Sequence, residues 1–312
     1  AIIPTITVDE VSALAKKHLN RKNMVIVAQG PSEGVKHITK EEAIAVLDKV
    51  ESSNLEPYKD QVTEASLINE NLKGSKIIAT KKLPQFDAEE WTLENGAKVV
   101  FRKADYEKDQ VQVSSYSKGG TSLYGIDKLA SAQVTDQFIG AYGLGDYDAI
   151  TLRKLLTGKQ AQAGVSIGGL SESVGGASTP NDFETLMQLI YLRFEKPRFD
   201  KEVHNTMMQR NYAAIENSAN MIMSNYSPRT LLFGKEFLDK VSIEQIEEIY
   251  RDRIKDISDF TFFIVGNIDA ETVKPLVEKY LGSVKSYNRK ENWVDNKVRG
   301  PKGRTEKVIE LD

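Results

Sequence analysis

Two stretches of the chain place apolar residues on one helical face in the same register. Thr7–Leu19 has them at Val8, Val11, Leu14 and Leu19; Ser242–Ile254 has them at Ile243, Ile246, Ile249 and Ile254. Aligned without a gap, these positions coincide, and their spacing is that of an amphipathic helix. Each helix opens on a capping box, Thr7 with Glu10 and Ser242 with Gln245. There the hydroxyl accepts from an orphan amide and the acid or amide side chain reaches back. An apolar strand follows each helix after a polar link: Met24–Ala28, ending at Gly30, and Phe260–Val265, ending at Gly266. Helix–strand pairs recur in many folds, but the shared cap, register and terminal glycine favour a true repeat. Residues 1–30 are then expected to be the C-terminal end of a preceding homologous domain, since a domain needs on the order of 100–150 residues.

Residues 31–88 are polar and irregular and are expected to be an inter-domain linker. It holds one short helix, Lys40–Val50, with Thr39 as N-cap and Glu42 at N3. A complete domain is expected over residues 89–284. Trp91–Glu94 and Lys98–Phe101 flank Asn95-Gly96, a pair that supplies the positive φ angles of a two-residue hairpin turn. Val111–Ser117 alternates apolar with polar as a third strand, and Gly119-Gly120 ends it. Helices are expected over Ile126–Tyr142 and Thr151–Leu156, then strands over Gln162–Ile167 and Ser171–Val174 around Gly168-Gly169. The next helix opens at Ser178-Thr179-Pro180-Asn181, with proline in its first turn. It lines up Phe183, Leu186, Leu189, Ile190 and Phe194, and Pro197 stops it. A long helix from Asp200 to about Asn217 precedes the repeated helix and strand, and Ala270–Leu281 closes the unit. Strands cluster and helices cluster, so the fold class is α+β, a largely antiparallel sheet with helices packed on one face. Residues 285–312 are expected to be a linker and the first strand of a further domain.

Composition narrows the function classes. With 312 residues, 40% hydrophobic and 28% charged, the chain has room for a full core. The net charge of -3 gives no basic excess for a nucleic-acid partner. Apolar runs such as Phe260–Val265 are strand length, far short of a membrane span. The absence of cysteine excludes disulfides, thiolate metal sites and a thiol nucleophile. Ala1-Ile2-Ile3-Pro4 lacks the pattern of a secretory signal.

Several stretches, in order, resemble the insulinase/pitrilysin family of zinc metalloendopeptidases. Leu93-Glu94-Asn95-Gly96-Ala97-Lys98-Val99-Val100 is similar to the family's opening hairpin, and Ser117-Lys118-Gly119-Gly120 to its strand–glycine pair–helix step. Leu155–Lys159 through Phe183–Leu186 resembles its mid-domain strands and helix. Ile264-Val265-Gly266-Asn267-Ile268-Asp269 looks like its closing strand, and Gly300–Ile309 like the stretch leading into the next unit. The family is built from tandem homologous domains. The resemblance therefore implies an internal fragment of a multi-domain bacterial member, spanning the end of domain two, all of domain three and the start of domain four.

In the family's active domain the helix after the glycine pair carries H-x-x-E-H. Two histidines one turn apart hold zinc and the glutamate activates its water. Here the matching positions are Ser131, Val134 and Thr135, and no histidine lies between His37 and His204. His18, His37 and His204 fall on separate elements, as incidental histidines rather than converging ligands. No catalytic or metal residue is assigned in this chain, and substrate contacts stay unknown. Gly158-Lys159-Gln160 lacks the phosphate-loop pattern. Glycines between 164 and 176 suit strand bends, Asp182 and Glu184 suit a helix start, and Asn225–Arg229 is read as a turn rather than a substrate contact. The resemblance implies a non-catalytic portion that completes a chamber for short or unfolded peptides. Zinc is expected in a missing N-terminal domain, and the catalytic half of the same parent chain is the expected partner. The alternative is a zinc-less scaffold or interaction subunit related to these peptidases. A periplasmic address is implied by resemblance only.

Overall fold

The computed structural model describes residues 5–18, 21–30, 34–55, 66–211, 223–231 and 234–306. The chain divides into two units, residues 1–61 and 62–312.

In the first unit, helix α1 (Val8–His18) starts on its capping box. The Glu10 amide donates to Thr7 Oγ1 at 3.2 Å and the Thr7 amide to Glu10 Oε2 at 2.8 Å. Helix α2 (Lys40–Ser52) has the full box on Thr39 and Glu42. The strand expected at Met24–Ala28 does not form: residues 24–30 take no regular structure, and Val25 and Val27 are exposed. Among the described residues of this unit there is no strand. A lone extended segment has nothing to pair its amides and carbonyls with, so apolar pattern alone does not make it a strand.

The second unit is built on one seven-stranded sheet in the order β1-β2-β3-β7-β4-β6-β5. The strands are β1 (Ile77–Leu83), β2 (Ala88–Leu93), β3 (Lys98–Lys103), β4 (Val111–Lys118), β5 (Ala161–Ile167), β6 (Ser171–Ser178) and β7 (Thr261–Gly266). Every pairing is antiparallel except that of β3 with β7. Alternation in β4 is complete: Val111, Val113, Ser115 and Ser117 are buried, while Gln112, Ser114, Tyr116 and Lys118 face solvent. The period of two thus assigns one face to the core and one to water.

Strand β1 lies in a stretch the sequence pattern left irregular, because only Ile77 and Leu83 of its seven residues are even partly covered. Edge pairing to β2 by backbone hydrogen bonds needs no apolar alternation. Ahead of it, the Ser75 amide donates to Glu278 O and the Ser75 hydroxyl to Gly282 O, which lays this segment along the unit's last helix.

The β2–β3 turn also differs from the two-residue form. The Leu93 amide donates to Ala97 O and Gly96 N–H to Leu93 O, and only Gly96 has a positive φ, +87°. That is the three-residue loop with glycine in the left-handed position. The Asn95 side chain is then free to reach across the unit, where its Nδ2 donates to Leu281 O and Val284 O and ties the hairpin to the closing turn.

The described residues of the unit add helices α3 (Ile126–Ala141), α4 (Ala149–Leu155), α5 (Phe183–Glu195), α6 (Lys201–Asn211), α7 (Lys235–Leu238), α8 (Ile243–Arg253) and α9 (Ala270–Tyr280). The predicted face of α5 is wholly buried. It joins Trp91, Phe260, Phe262, Ile264 and Tyr280 in one core. The continuation expected from residue 212 to 217, and the strand expected over residues 306–312 apart from its first residue, lie outside the described residues. No helix among the described residues is long and apolar enough to cross a membrane.

Candidate functional site: the helix after the glycine pair

Strand β4 runs into Gly119-Gly120, and this step interlocks with the β5–β6 turn. Gly119 N–H donates to Leu170 O, Thr121 N–H to Gly168 O and Ser122 N–H to Gly169 O. Gly120 has φ +57°, and a side chain there would run into the Gly168 carbonyl. Glycine is what lets the two backbones close up. The Gly120 amide is taken by Glu172 Oε2 at 2.7 Å, and Ser117 Oγ donates to Glu172 Oε1 at 2.8 Å.

Helix α3 leaves this step packed on more than one side. Ala130, Ser131 and Ala132 are all buried, and their small side chains let α8 approach closely, with Ile249 against Ala132. The three positions that match H-x-x-E-H are filled structurally: Ser131 and Thr135 are 0% exposed and Val134 is 4% exposed. Thr135 Oγ1 donates back to Ser131 O. Ser131 enters the α8 capping box. Its hydroxyl donates to Gln245 Oε1 at 2.7 Å and accepts from the Ser242 amide at 3.0 Å. Half of the predicted box remains, Gln245 N–H on Ser242 Oγ; the reciprocal half passes through Ser131.

None of the three histidines enters a ligand set among the described residues, and one of them, His204, packs against the C-terminal end of α3. His18 and His37 are exposed in the first unit. His204 is buried on α6 rather than exposed, its Nδ1 2.9 Å from Tyr142 Oη and its ring 5.1 Å from Phe138. Among the described residues no three of His, Asp or Glu gather in the arrangement of a metal site. Desolvation holds the His204 pKa below its ordinary value. The unfolded chain, with a histidine pKa near 6.5, therefore takes up a proton below that pH that the fold does not. Stability should fall from pH 7 to 5, with a His204 contribution of at most about 1.4 kcal/mol per pH unit. Urea midpoints of the wild-type chain and His204→Gln at the two pH values check this; identical pH slopes would refute it.

The unit's main charge cluster went unforeseen. Arg253 closes α8 with its side chain 1% exposed. Its guanidinium lies 2.6 Å from Asp252 Oδ2, 2.8 Å from Glu291 Oε2 and 3.7 Å from Glu172 Oε1, and its Nε donates to Tyr124 Oη at 3.0 Å. Arg289 donates to Asp252 O and pairs with Glu291. Asp256 accepts from the Tyr287 and Arg289 amides. Burial pushes the Glu172 carboxyl above its usual range against the Gly120, Ser117 and Arg253 contacts. Burial, with Asp256 beside it, pushes Asp259 up to about 6. The cluster fastens residues 287–291 across the end of α8. Two sequence signals mark it. Arg253 continues the 246, 249, 250 apolar face, and Glu172 shares a period-two face with Val174.

Of the other singled-out residues, Asp182 and Glu184 stand at the start of α5 as expected, but Asp182 makes no side-chain cap there and both bond to other elements. Asp182 accepts from the Gln160 amide, and Glu184 from Tyr280 and Lys279. Arg229 caps two backbone carbonyls beyond the glycine pair, those of Tyr124 and Thr121.

Residues 240–312 match the family described as Peptidase M16 inactive domain. "Zinc protease PQQL-like" of Arabidopsis thaliana is 22% identical over 297 residues, 91% of this chain and 28% of that protein. "Probable zinc protease PqqL" of Haemophilus influenzae is 22% identical over 69% of this chain and 24% of its own length. The solved structure of the periplasmic protease PqqL from Escherichia coli superposes with a TM-score of 0.64 at 17% identity, covering 81% of this chain and 29% of that one. That likeness is one of fold. The chain spans less than a third of each of these relatives.

Proposed function

We propose, from the premise that this chain belongs to the insulinase/pitrilysin family and is a non-catalytic part of such a peptidase, that it walls a chamber admitting short or unfolded peptides. The observation that carries the reading is the burial of Ser131, Val134 and Thr135. The face of α3 that would present zinc ligands to substrate is turned to packing at these three positions, so this unit supports a site rather than containing one. Residues 89–284 are proposed as the complete peptidase-like domain. Residues 1–30 would end a preceding one, 31–88 would link the two while lending β1 to the domain's sheet as an edge strand, and 285–312 would enter the next. The hydroxyl cap that α1 shares with α8, Thr7 on Glu10 N–H and Ser242 on Gln245 N–H, supports the repeat.

Zinc is placed by this reading in another part of the same protein, as are the partner surfaces that close the chamber. The relatives' names, zinc protease and periplasmic protease, favour a peptide substrate and an exported address. The test is complementation. The 312-residue chain alone should bind no zinc stoichiometrically in calorimetry and cut no peptide. Co-purified with the remainder of its protein it should raise cleavage of an unfolded peptide at least tenfold over that remainder alone. Peptide cleavage by this chain unaided would overturn the proposal. A remainder without H-x-x-E-H would replace it with the zinc-less scaffold.

A further inference from the structure

We propose that the pocket beside α3 binds the free C-terminal carboxylate and terminal apolar side chain of a peptide. The pocket has a volume of about 450 Å³, enough for a residue-sized ligand. Five parts of the chain wall it: the residues after the glycine pair through Ser122, α3 through Gln133, the β5–β6 turn through Leu170, the loop at Arg229, and the strap 293–299 through Trp293 and Val298. The strap is fixed in place, with Val294 N–H on Ser122 Oγ and Asn296 Nδ2 on Ser122 O, each at 2.9 Å. The cavity is therefore preformed, which lowers the cost of binding.

Its electrostatics select the ligand. Arg299 is closed off by Asp295 at 2.9 and 2.6 Å, and that pair adds no net charge. Arg229 has no such partner: among the described residues no carboxylate lies within ion-pair distance of it. Its Nη1 and Nη2 each donate once, to Tyr124 O at 2.9 Å and Thr121 O at 3.0 Å. A guanidinium has five N–H donors, so capacity remains in the pocket wall. The group is half-buried and no opposite charge offsets its desolvation, a state that an incoming carboxylate relieves. The same cavity offers Leu170, Val298 and the indole of Trp293, 43% exposed. One unpaired cation beside an apolar wall fits an anion with an apolar arm. The carboxylate and the apolar group follow from the pocket; the choice of a peptide rests on the chamber reading above.

The chain has two tryptophans, and Trp91 is fully buried, so Trp293 emission reports on the pocket. The 312-residue chain is titrated with N-acetyl-L-phenylalanine, with its C-terminal amide, and with a hexapeptide ending in phenylalanine. Saturable binding of the two acids, at least tenfold weaker for the amide, is expected. Arg229→Met should abolish the preference. Gln133→Glu, an exposed position that leaves the Arg229 carbonyl contacts in place, should weaken both acids about tenfold. Equal affinity for acid and amide, no saturable binding, or insensitivity to both variants would overturn the site. Binding of the single residue without the hexapeptide would refute its peptide role alone. The complementation assay reads the chamber separately, so either proposal can fail without the other.

Discussion

Replacing Arg253 by methionine is expected to lower the unfolding free energy of the second unit by about 3–5 kcal/mol, the range for breaking a buried ion pair from one side. Its guanidinium is 1% exposed and faces Glu172, Asp252 and Glu291. Methionine fills the aliphatic path but leaves the equally buried Glu172 without its cation, and Glu291 without the contact that anchors residues 287–291. The charge left behind causes the loss, so Arg253→Met with Glu172→Gln should recover a substantial part of it. Glu172 already has a raised pKa, and without Arg253 it should rise further. Its folded form then holds a proton that the unfolded form has lost. The deficit of the single variant should therefore shrink as pH falls from 7 toward 4. Urea unfolding of the three proteins at both pH values reads all of this. An Arg253→Met chain whose midpoint moves by less than about 1 kcal/mol equivalent would show the cluster to be superficial.

The converse experiment is to write the missing motif back in. Ser131→His, Val134→Glu and Thr135→His together should yield a destabilised chain that binds no zinc tightly and cleaves nothing. Each position is at or near zero exposure, and overpacking a filled core costs about 1–3 kcal/mol per site. Ser131→His also removes the hydroxyl that satisfies Gln245 and the Ser242 amide, and Val134→Glu buries a carboxylate. A combined loss of at least about 3 kcal/mol is expected. Calorimetric zinc titration and the urea midpoint are the measurements. A stable variant with one tightly held zinc would mean that α3 is free to present these positions outward, against the packing described.

Much of this was legible from the chain alone, for reasons specific to each element. The α5 face and the alternation of β4 could be read because burial there follows the helical and strand periods without exception. The glycine step could be read because glycine marks a backbone approach closer than a side chain allows. What escaped depended on partners distant in sequence. β1 is fixed by pairing rather than by its own residues. Asn95 was assigned to a turn, when its amide is spent on Leu281 and Val284. His204 has no local signal of burial; Phe138 and Tyr142 cover it from a helix some sixty positions earlier. In the sequence Arg229 reads as a loop residue, and only the placement of the 293–299 segment opposite it makes a cavity.

The position of β7 has a consequence for biosynthesis. It sits between β3 and β4, pairing with Lys98–Lys103 on one side and Val111–Tyr116 on the other, yet it is Thr261–Gly266 in the chain. Until those residues leave the ribosome, two neighbouring halves of the sheet stand apart with unsatisfied borders facing each other. Such borders invite pairing with other nascent chains, and closure over so long a loop is slow. Shortened products ending before Thr261 should therefore collect as aggregates or on chaperones, while those reaching past Ser283 should be released as soluble material.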